Sequence, residues 1–217
     1  MITRTLLTGL LAGLAAGVVL TLLYAGKLQP LILAAEVIEH GAGHAMPTPF
    51  MRLFDTFLFN ILTGVGFGLL LAAILVTRGK PVGTGNGVLW GVAGFAVFAL
   101  APAAGLPPEL PGSISAPLEA RQIWWLLTSA ATAGGMGLIV LQPRQMLKGA
   151  GILLILAPHI VGAPRAEVHG GTLAAELAAE YVGLSVGAMA LFWVVLGGAA
   201  GYCHDRFAGR TGEEPRT

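Results

Sequence analysis

Long apolar runs separated by short polar segments are the dominant pattern of this chain. A run of about 20 apolar residues is long enough to cross the hydrocarbon core of a bilayer as a helix. Such runs lie at about residues 5–25, 56–76, 85–104, 123–142, 147–163 and 182–203, and residues 204–217 follow as a polar tail. The pattern therefore predicts a single all-α membrane domain, a polytopic transmembrane helix bundle of about six spans.

Two segments leave the helix boundaries open. The 147–163 run is the shortest and contains Pro158, which removes a backbone donor and can bend a helix or end it early. The number of spans falls to five if this run does not cross. The first half of residues 28–55 fits a helix until Gly41 and the glycines and prolines after it. It either extends the first helix or lies at the membrane interface.

Composition supports a membrane protein over a soluble one. The chain is 55% hydrophobic and only 11% charged, whereas about a quarter of the residues of soluble domains are charged. Its single cysteine, Cys203, excludes an internal disulfide and a metal site built from several thiolates. The net charge of +1, without a basic patch, gives no indication of a nucleic-acid partner.

Lysine and arginine side chains predict the orientation, because short basic loops stay on the cytoplasmic side of a membrane. With six spans and a cytoplasmic N-terminus, both termini are cytoplasmic and eight of the twelve basic residues lie inside. Most acidic residues fall outside, and such an outer face would concentrate cations. The inner basic residues are Arg4, Arg78, Lys80, Arg144, Lys148, Arg206, Arg210 and Arg216, and the outer acidic ones are Glu36, Glu39, Asp55, Glu109, Glu119, Glu167, Glu176 and Glu180.

Glycines spaced four residues apart recur within the predicted spans. Small residues on one helix face let two backbones approach closely in a membrane, where apolar side chains give little drive for association. We interpret these glycines mainly as surfaces for helix packing. They are Gly9, Gly13 and Gly17, Gly64 and Gly68, Gly87 and Gly91, Gly183 and Gly187, and Gly197 and Gly201.

Candidate metal ligands collect on the predicted outer side. Glu36, Glu39, His40 and His44 lie close together in the sequence, and carboxylate with imidazole is a donor set that Co²⁺, Ni²⁺ and Zn²⁺ accept. The same segment also fits a solvated exterior loop. His159 lies in the fifth span near its outer end, where an ionisable side chain is costly and becomes a functional candidate. A hydrogen bond from His159 to a neighbouring helix is the competing interpretation.

Other residues are candidates for a vestibule or pathway. Arg121 can pair with Glu109 or Glu119 and shape an outer vestibule, while Trp124 and Trp125 fit interfacial anchors better than a binding platform. The remaining candidates also fit structural roles. The Asn60 amide can bridge two helices, and Glu176 and Glu180 can stabilise the positive end of the last helix. These remaining candidates are Asn60, Gln122, His169, Glu176 and Glu180.

Motifs of enzymatic chemistry are lacking in the sequence. It contains no H-E-x-x-H, no G-x-S-x-G and no nucleotide-binding glycine loop with its lysine. We therefore expect no enzyme and no permanently bound cofactor. Transport would be ion-driven, passive or powered by a partner.

Four segments carry a more specific pattern: LAPAAGLPPELPG (100–112), ARQIWWL (120–126), LAPHIVGAP (156–164) and ALFWVVLGG (190–198). The stretches GLLAGLAAGVVLTLL and GVGFGLLLAAILV extend it over nearly the whole chain. Together these segments resemble the CbtA family, the predicted cobalt transporter subunit.

The resemblance implies uptake of Co²⁺ for cobalamin synthesis by a multi-pass protein of the inner, cytoplasmic membrane. It also implies a small one-span companion subunit of the CbtB type, and a homo-oligomer stays open. Co²⁺ is then the substrate, and no family ligands transfer to residues of this chain. The alternative is a non-transporting scaffold or partner subunit of a larger membrane complex.

Overall fold

Helices form all the regular secondary structure of residues 2–40, 48–78, 82–166 and 173–209, which are the parts of the chain that the computed structural model describes. Two π-helical turns, Tyr24–Leu28 and Ala96–Leu100, join α1 to α2 and α4 to α5. The helices are α1 Ile2–Leu23, α2 Gln29–His40, α3 Pro49–Thr77, α4 Thr84–Phe95, α5 Ala101–Gly105, α6 Leu118–Leu141, α7 Gln145–Val161 and α8 Ala175–Gly209.

Within the described residues, five helices are long and apolar enough to cross a membrane. They are Ile2–Glu39, Pro49–Thr77, Thr84–Gly105, Leu118–Leu141 and Ala175–Phe207. Helix α7 has 17 residues and contains Pro158, so it is about 25 Å long against a hydrocarbon core of about 30 Å. The prediction of an all-α, membrane-spanning bundle is confirmed, and the short helix α7 is the 147–163 run whose crossing the sequence leaves open.

The helices extend beyond the apolar runs that predict them. The first helix continues through Tyr24–Leu28 to the end of α2, so the first half of residues 28–55 extends the first helix. Helix α3 begins at Pro49, where the Thr48 hydroxyl accepts a hydrogen bond from the Met51 amide at 3.3 Å. Polar residues can stay helical outside the hydrocarbon core, so hydropathy marks only the apolar middle of each helix.

The chain folds into two compact units. The first contains α1, α3, α4 as far as Gly94, and α8 from Gly187. In it, a Cβ atom on Gly13 would overlap the backbone of Gly64 and Val65, and a Cβ on Gly64 would overlap the Gly13 carbonyl oxygen. Gly9 meets Leu69 in the same way, so α1 and α3 run antiparallel at backbone contact.

Helices α4 and α8 of the first unit use the same device. A Cβ on Gly87 would meet Gly197 and Gly201, and a Cβ on Gly91 would meet the Trp193 carbonyl oxygen. The packing interpretation of these glycines is therefore confirmed. Gly183 and Gly187 do not pack in this way against the described residues, since an added Cβ would meet none of their atoms within 4 Å at either position.

One end of the first unit brings together distant parts of the chain. The Arg4 guanidinium donates to the carbonyl oxygen of Phe207 at 3.0 Å. The Val82 amide donates to Nδ1 of His204 at 3.2 Å. The N-terminal end of α1, the residues before α4 and the C-terminal part of α8 therefore meet at one end of this unit.

The second unit contains α2 from Pro30 and residues 95–186. Helices α6 and α7 pack through glycine here as well, since a Cβ on Gly135 would overlap the Gly151 carbonyl region and a Cβ on Gly151 would meet the Gly135 carbonyl oxygen at 2.6 Å. The loop 106–117 connects α5 to α6 and precedes the residues of the candidate site.

Candidate functional site

An ion pair stands at the start of α6. The Arg121 guanidinium lies 2.7 Å from Oε2 of Glu109, with 30% of the Arg121 side chain and 29% of the Glu109 side chain exposed. The Ser115 hydroxyl donates to the same carboxylate oxygen at 2.6 Å. Glu109 therefore fastens the loop 106–117 to α6, and the predicted pairing of Arg121 with Glu109 is the one that forms.

The loop also lies against the end of α2. Gly112 has a φ of +78°, a conformation that glycine adopts without a steric penalty. A Cβ atom there would lie 3.2 Å from Cβ of Glu39. The Glu39 side chain is exposed. The end of α2 therefore brings a second acidic residue, Glu39, beside the loop that carries Glu109.

Trp124 and His159 form the inner boundary of this site. Only 7% of Trp124 is exposed, its indole Nε1 donates to the Pro158 carbonyl oxygen at 3.4 Å, and its ring meets the His159 ring edge-to-face with 5.8 Å between centroids. The anchor interpretation is therefore wrong for Trp124, because an interfacial anchor faces headgroups rather than the protein interior. His159 is half-buried and contacts this indole.

The end of α7 gives His159 its position. The Pro158 carbonyl oxygen also accepts from the Gly162 amide at 3.0 Å, and Gly162, with φ of +92°, ends the helix. On the facing helix, a Cβ on Gly105 would overlap the Trp124 ring. The indole is thus held between the backbone of α5 and the last turn of α7.

The other predicted site residues lie in different surroundings. Trp125 is half-buried with its ring 6.2 Å from that of Phe98, and Gln122 is exposed. Glu176 and Glu180 are exposed in the first two turns of α8, Glu36 is half-buried on α2, and His40 is the last residue of that helix. His44 and His169 lie outside the described residues.

Asn60 belongs to the first unit and has a clear structural role. Its side-chain amide is buried and donates to the Thr21 hydroxyl at 3.3 Å, and that hydroxyl donates to the Gly17 carbonyl oxygen at 2.8 Å. A polar chain from α3 to α1 results. Hydrogen bonds of this kind join helices where lipid offers no partner.

No ready-made chelating centre occurs in the described ranges. Among residues 2–40, 48–78, 82–166 and 173–209, no group of three or more His, Cys, Asp or Glu side chains could share a metal ion.

Three residues that the sequence analysis did not single out lie deeper on α6. The hydroxyl oxygens of Thr128, Ser129 and Thr132 are buried and have no hydrogen-bond partner among the residues that the structure describes. Thr128 and Thr132 follow Trp124 at intervals of one helical turn. This spacing is the only sign in the sequence that these residues belong to the same face as Trp124. It is a weak sign, because the hydroxyl of a Thr within an apolar helix normally donates to a carbonyl oxygen of the preceding turn.

Comparisons with known proteins identify the family of this chain. The profile described as "Probable cobalt transporter subunit (CbtA)" matches residues 2–205. A search of curated proteins and a search of solved structures each found no match. Because the matched range includes every described helix apart from the last residues of α8, the chain belongs to the CbtA family of probable cobalt transporter subunits.

Proposed function

We propose that this protein takes up Co²⁺ across the cytoplasmic membrane, with its outer entrance formed by Glu109, Arg121, Trp124 and His159. The single observation that carries the entrance is the Trp124–His159 contact beneath the Glu109–Arg121 pair. An imidazole at this depth combines with carboxylates at the surface, and Co²⁺ accepts both donor types. The family match supports cobalt as the substrate.

The orientation is supported by the end of the first unit where Arg4, Val82 and the His204–Phe207 segment meet. Basic residues at that end, such as Arg78, suit the cytoplasmic side. With that end in the cytoplasm, a crossing by Thr84–Gly105 would lead to an outer loop 106–117. Six crossings with both termini in the cytoplasm agree with this arrangement, with α7 as the shortest.

The electrostatics of the entrance favour passage over retention. Exposed carboxylates raise the local concentration of cations, but Arg121 neutralises Glu109, so a bound ion would not meet an uncompensated negative charge. A site that conducts must bind an ion strongly enough to admit it and weakly enough to release it. Compensation of Glu109 by Arg121 supports the second of these requirements.

The wider assignment includes a partner and a destination. The protein would work with a small one-span companion subunit of the CbtB type, and one copy or several copies of this chain would take part. The complex would supply cobalt for cobalamin synthesis. The subunit description of the family supports a partner protein. A purified chain that forms no cation pathway in liposomes, yet remains bound to another subunit, would instead indicate a scaffold.

Radioactive cobalt uptake tests the proposal directly. Cells that lack the protein should accumulate less ⁵⁷Co²⁺ under cobalt limitation than cells that carry it, with and without the companion subunit. Nickel and zinc at equal concentration serve as competitors. Normal cobalt accumulation in the deletion strain would refute the transport function.

Replacing Glu109 by Gln should lower the initial rate of cobalt uptake several-fold at low cobalt. The change removes the carboxylate that holds both Ser115 and Arg121 and leaves a cation at the entrance that repels Co²⁺. The free energy of unfolding should change by less than about 1 kcal/mol, because the pair is part-exposed. Glu119→Gln, an equal charge change at an exposed position of α6, is the matched control, and equal uptake by the two variants would contradict the prediction.

A further inference from the structure

The buried hydroxyls of α6 are the strongest unexplained feature of the second unit. Thr128 is 0% exposed, Thr132 3% and Ser129 4%. Within the described parts of the chain, none of the three hydroxyl oxygens has a hydrogen-bond partner. A polar group buried without a partner costs free energy, and three within five residues of one helix require a common explanation.

Two hydroxyls on other helices have partners in the protein. The Thr21 hydroxyl donates to the Gly17 carbonyl oxygen at 2.8 Å, and the Thr77 hydroxyl donates to that of Ile74 at 2.7 Å. This bond to the preceding turn is the usual solution for Ser and Thr within a helix. Thr128, Ser129 and Thr132 do not use it, so their hydroxyl groups remain available to a partner that is not protein.

These hydroxyls continue the candidate entrance into the second unit. Trp124, Thr128, Thr132 and Gly135 are all buried and follow one another at four-, four- and three-residue intervals on one face of α6. Arg121, one turn earlier, carries the ion pair with Glu109. The face therefore runs from the surface pair, past the Trp124–His159 contact, to the hydroxyls.

We propose that Thr128, Ser129 and Thr132 line the passage of the cation and hydrogen-bond the water molecules of its hydration shell. The inference rests on the proposed function and names the part of the path below the entrance. Waters bound to a divalent cation are donors, and neutral hydroxyl oxygens accept from them. Such contacts are weak and multiple, as conduction requires.

The absence of a chelating group among the described residues agrees with this path. A cation that keeps its water needs acceptors on the wall of the passage rather than several charged ligands. Hydroxyls suit that role because they present oxygen without adding a charge that would trap the ion. Ser185 has a further buried hydroxyl without a protein partner, on the part of α8 that belongs to the same unit.

Removing the hydroxyls at constant volume tests the proposal. The variant Thr128→Val/Ser129→Ala/Thr132→Val is made in the full chain with its companion subunit. Its initial rate of ⁵⁷Co²⁺ uptake should be at least tenfold lower than that of the wild type. Its protein level and thermal stability should stay the same or rise, because three unpaired polar groups are gone. Thr77→Val, whose hydroxyl bonds its own helix, is the matched control. Thr128→Ser should keep most of the uptake.

The outcomes separate the two proposals. Uptake by the wild type together with undiminished uptake by the triple variant would overturn the hydroxyl path and leave the transport function intact. No cobalt uptake by the wild type would overturn both. If a fall in the amount of folded protein accounts for the whole fall in uptake, the hydroxyls serve packing, and the proposed path is overturned.

A labelling experiment decides the point without measuring transport. In a Cys203→Ser background, which removes the only cysteine, Thr128→Cys should react with a charged methanethiosulfonate reagent, and Co²⁺ should slow the reaction. Leu127→Cys, 61% exposed on the outside of α6, should react far more slowly because lipid covers it. Equal labelling at both positions, or labelling of Thr128→Cys that Co²⁺ does not slow, would overturn the proposal.

Discussion

Gly64→Val should prevent the protein from accumulating in folded form. The added side chain would overlap the carbonyl oxygen of Gly13 and approach the Gly17 amide at 3.2 Å. These atoms belong to the backbone of α1 and cannot rotate away, so the two helices must separate along their whole contact. Overpacking of a well-filled core typically costs about 1–3 kcal/mol, and separating two backbones in contact should exceed that range.

The matched control lies two residues away on the same helix. Gly66 is exposed, and an added Cβ there would meet no other atom within 4 Å. Gly66→Val should therefore fold and reach the membrane at nearly the wild-type level. The comparison is made by detergent-solubilised yield and thermal unfolding of both variants. Equal yields would show that α1 and α3 do not depend on backbone contact.

His159→Phe should abolish most cobalt uptake while the protein stays folded. Phenylalanine keeps a planar ring that can meet Trp124 edge-to-face, as His159 does at 5.8 Å, but it removes both ring nitrogens. If the imidazole receives the ion, the apparent affinity for cobalt should fall at least about tenfold, which is the lower end of the loss seen when groups around a metal are removed. The measurement is the initial ⁵⁷Co²⁺ uptake rate over a range of cobalt concentrations.

The control for His159 is the next residue. Ile160 is 77% exposed, so Ile160→Phe adds the same side chain on the outer surface of α7 and should leave uptake unchanged. His159→Ala removes the ring contact as well and should lower stability in addition to uptake. Wild-type uptake in His159→Phe would show that the imidazole only packs against Trp124.

The sequence predicts the helices well because their apolar runs are long. Ile2–Glu39 shows where such prediction ends, since the apolar run stops near Tyr24 but the helix continues through a π-helical turn. A four-residue spacing of glycines predicts close helix packing only where a second helix faces these glycines. Gly64 faces Gly13, whereas Gly183 has the same four-residue spacing and no contact. Nothing in the spacing itself distinguishes these cases.

The candidate site is predictable only in part, for a similar reason. Opposite charge and closeness in sequence make Glu109 and Glu119 equally good partners for Arg121, and only the structure selects Glu109. The burial of Trp124 depends on Gly105 and on the end of α7, which are distant in sequence. The unsatisfied state of Thr128 is a property of its rotamer and neighbours, and residue type alone gives no indication of it.

The glycine contact between α4 and α8 also sets an order of assembly during synthesis. Helices α1 and α3 follow each other closely and can pair as soon as α3 enters the membrane. Helix α4 must wait, because Gly197 and Gly201 are made only after α5, α6 and α7 have left the ribosome. A ribosome that stalls before α8 would therefore release a chain in which Gly87 and Gly91 lack the helix that they contact.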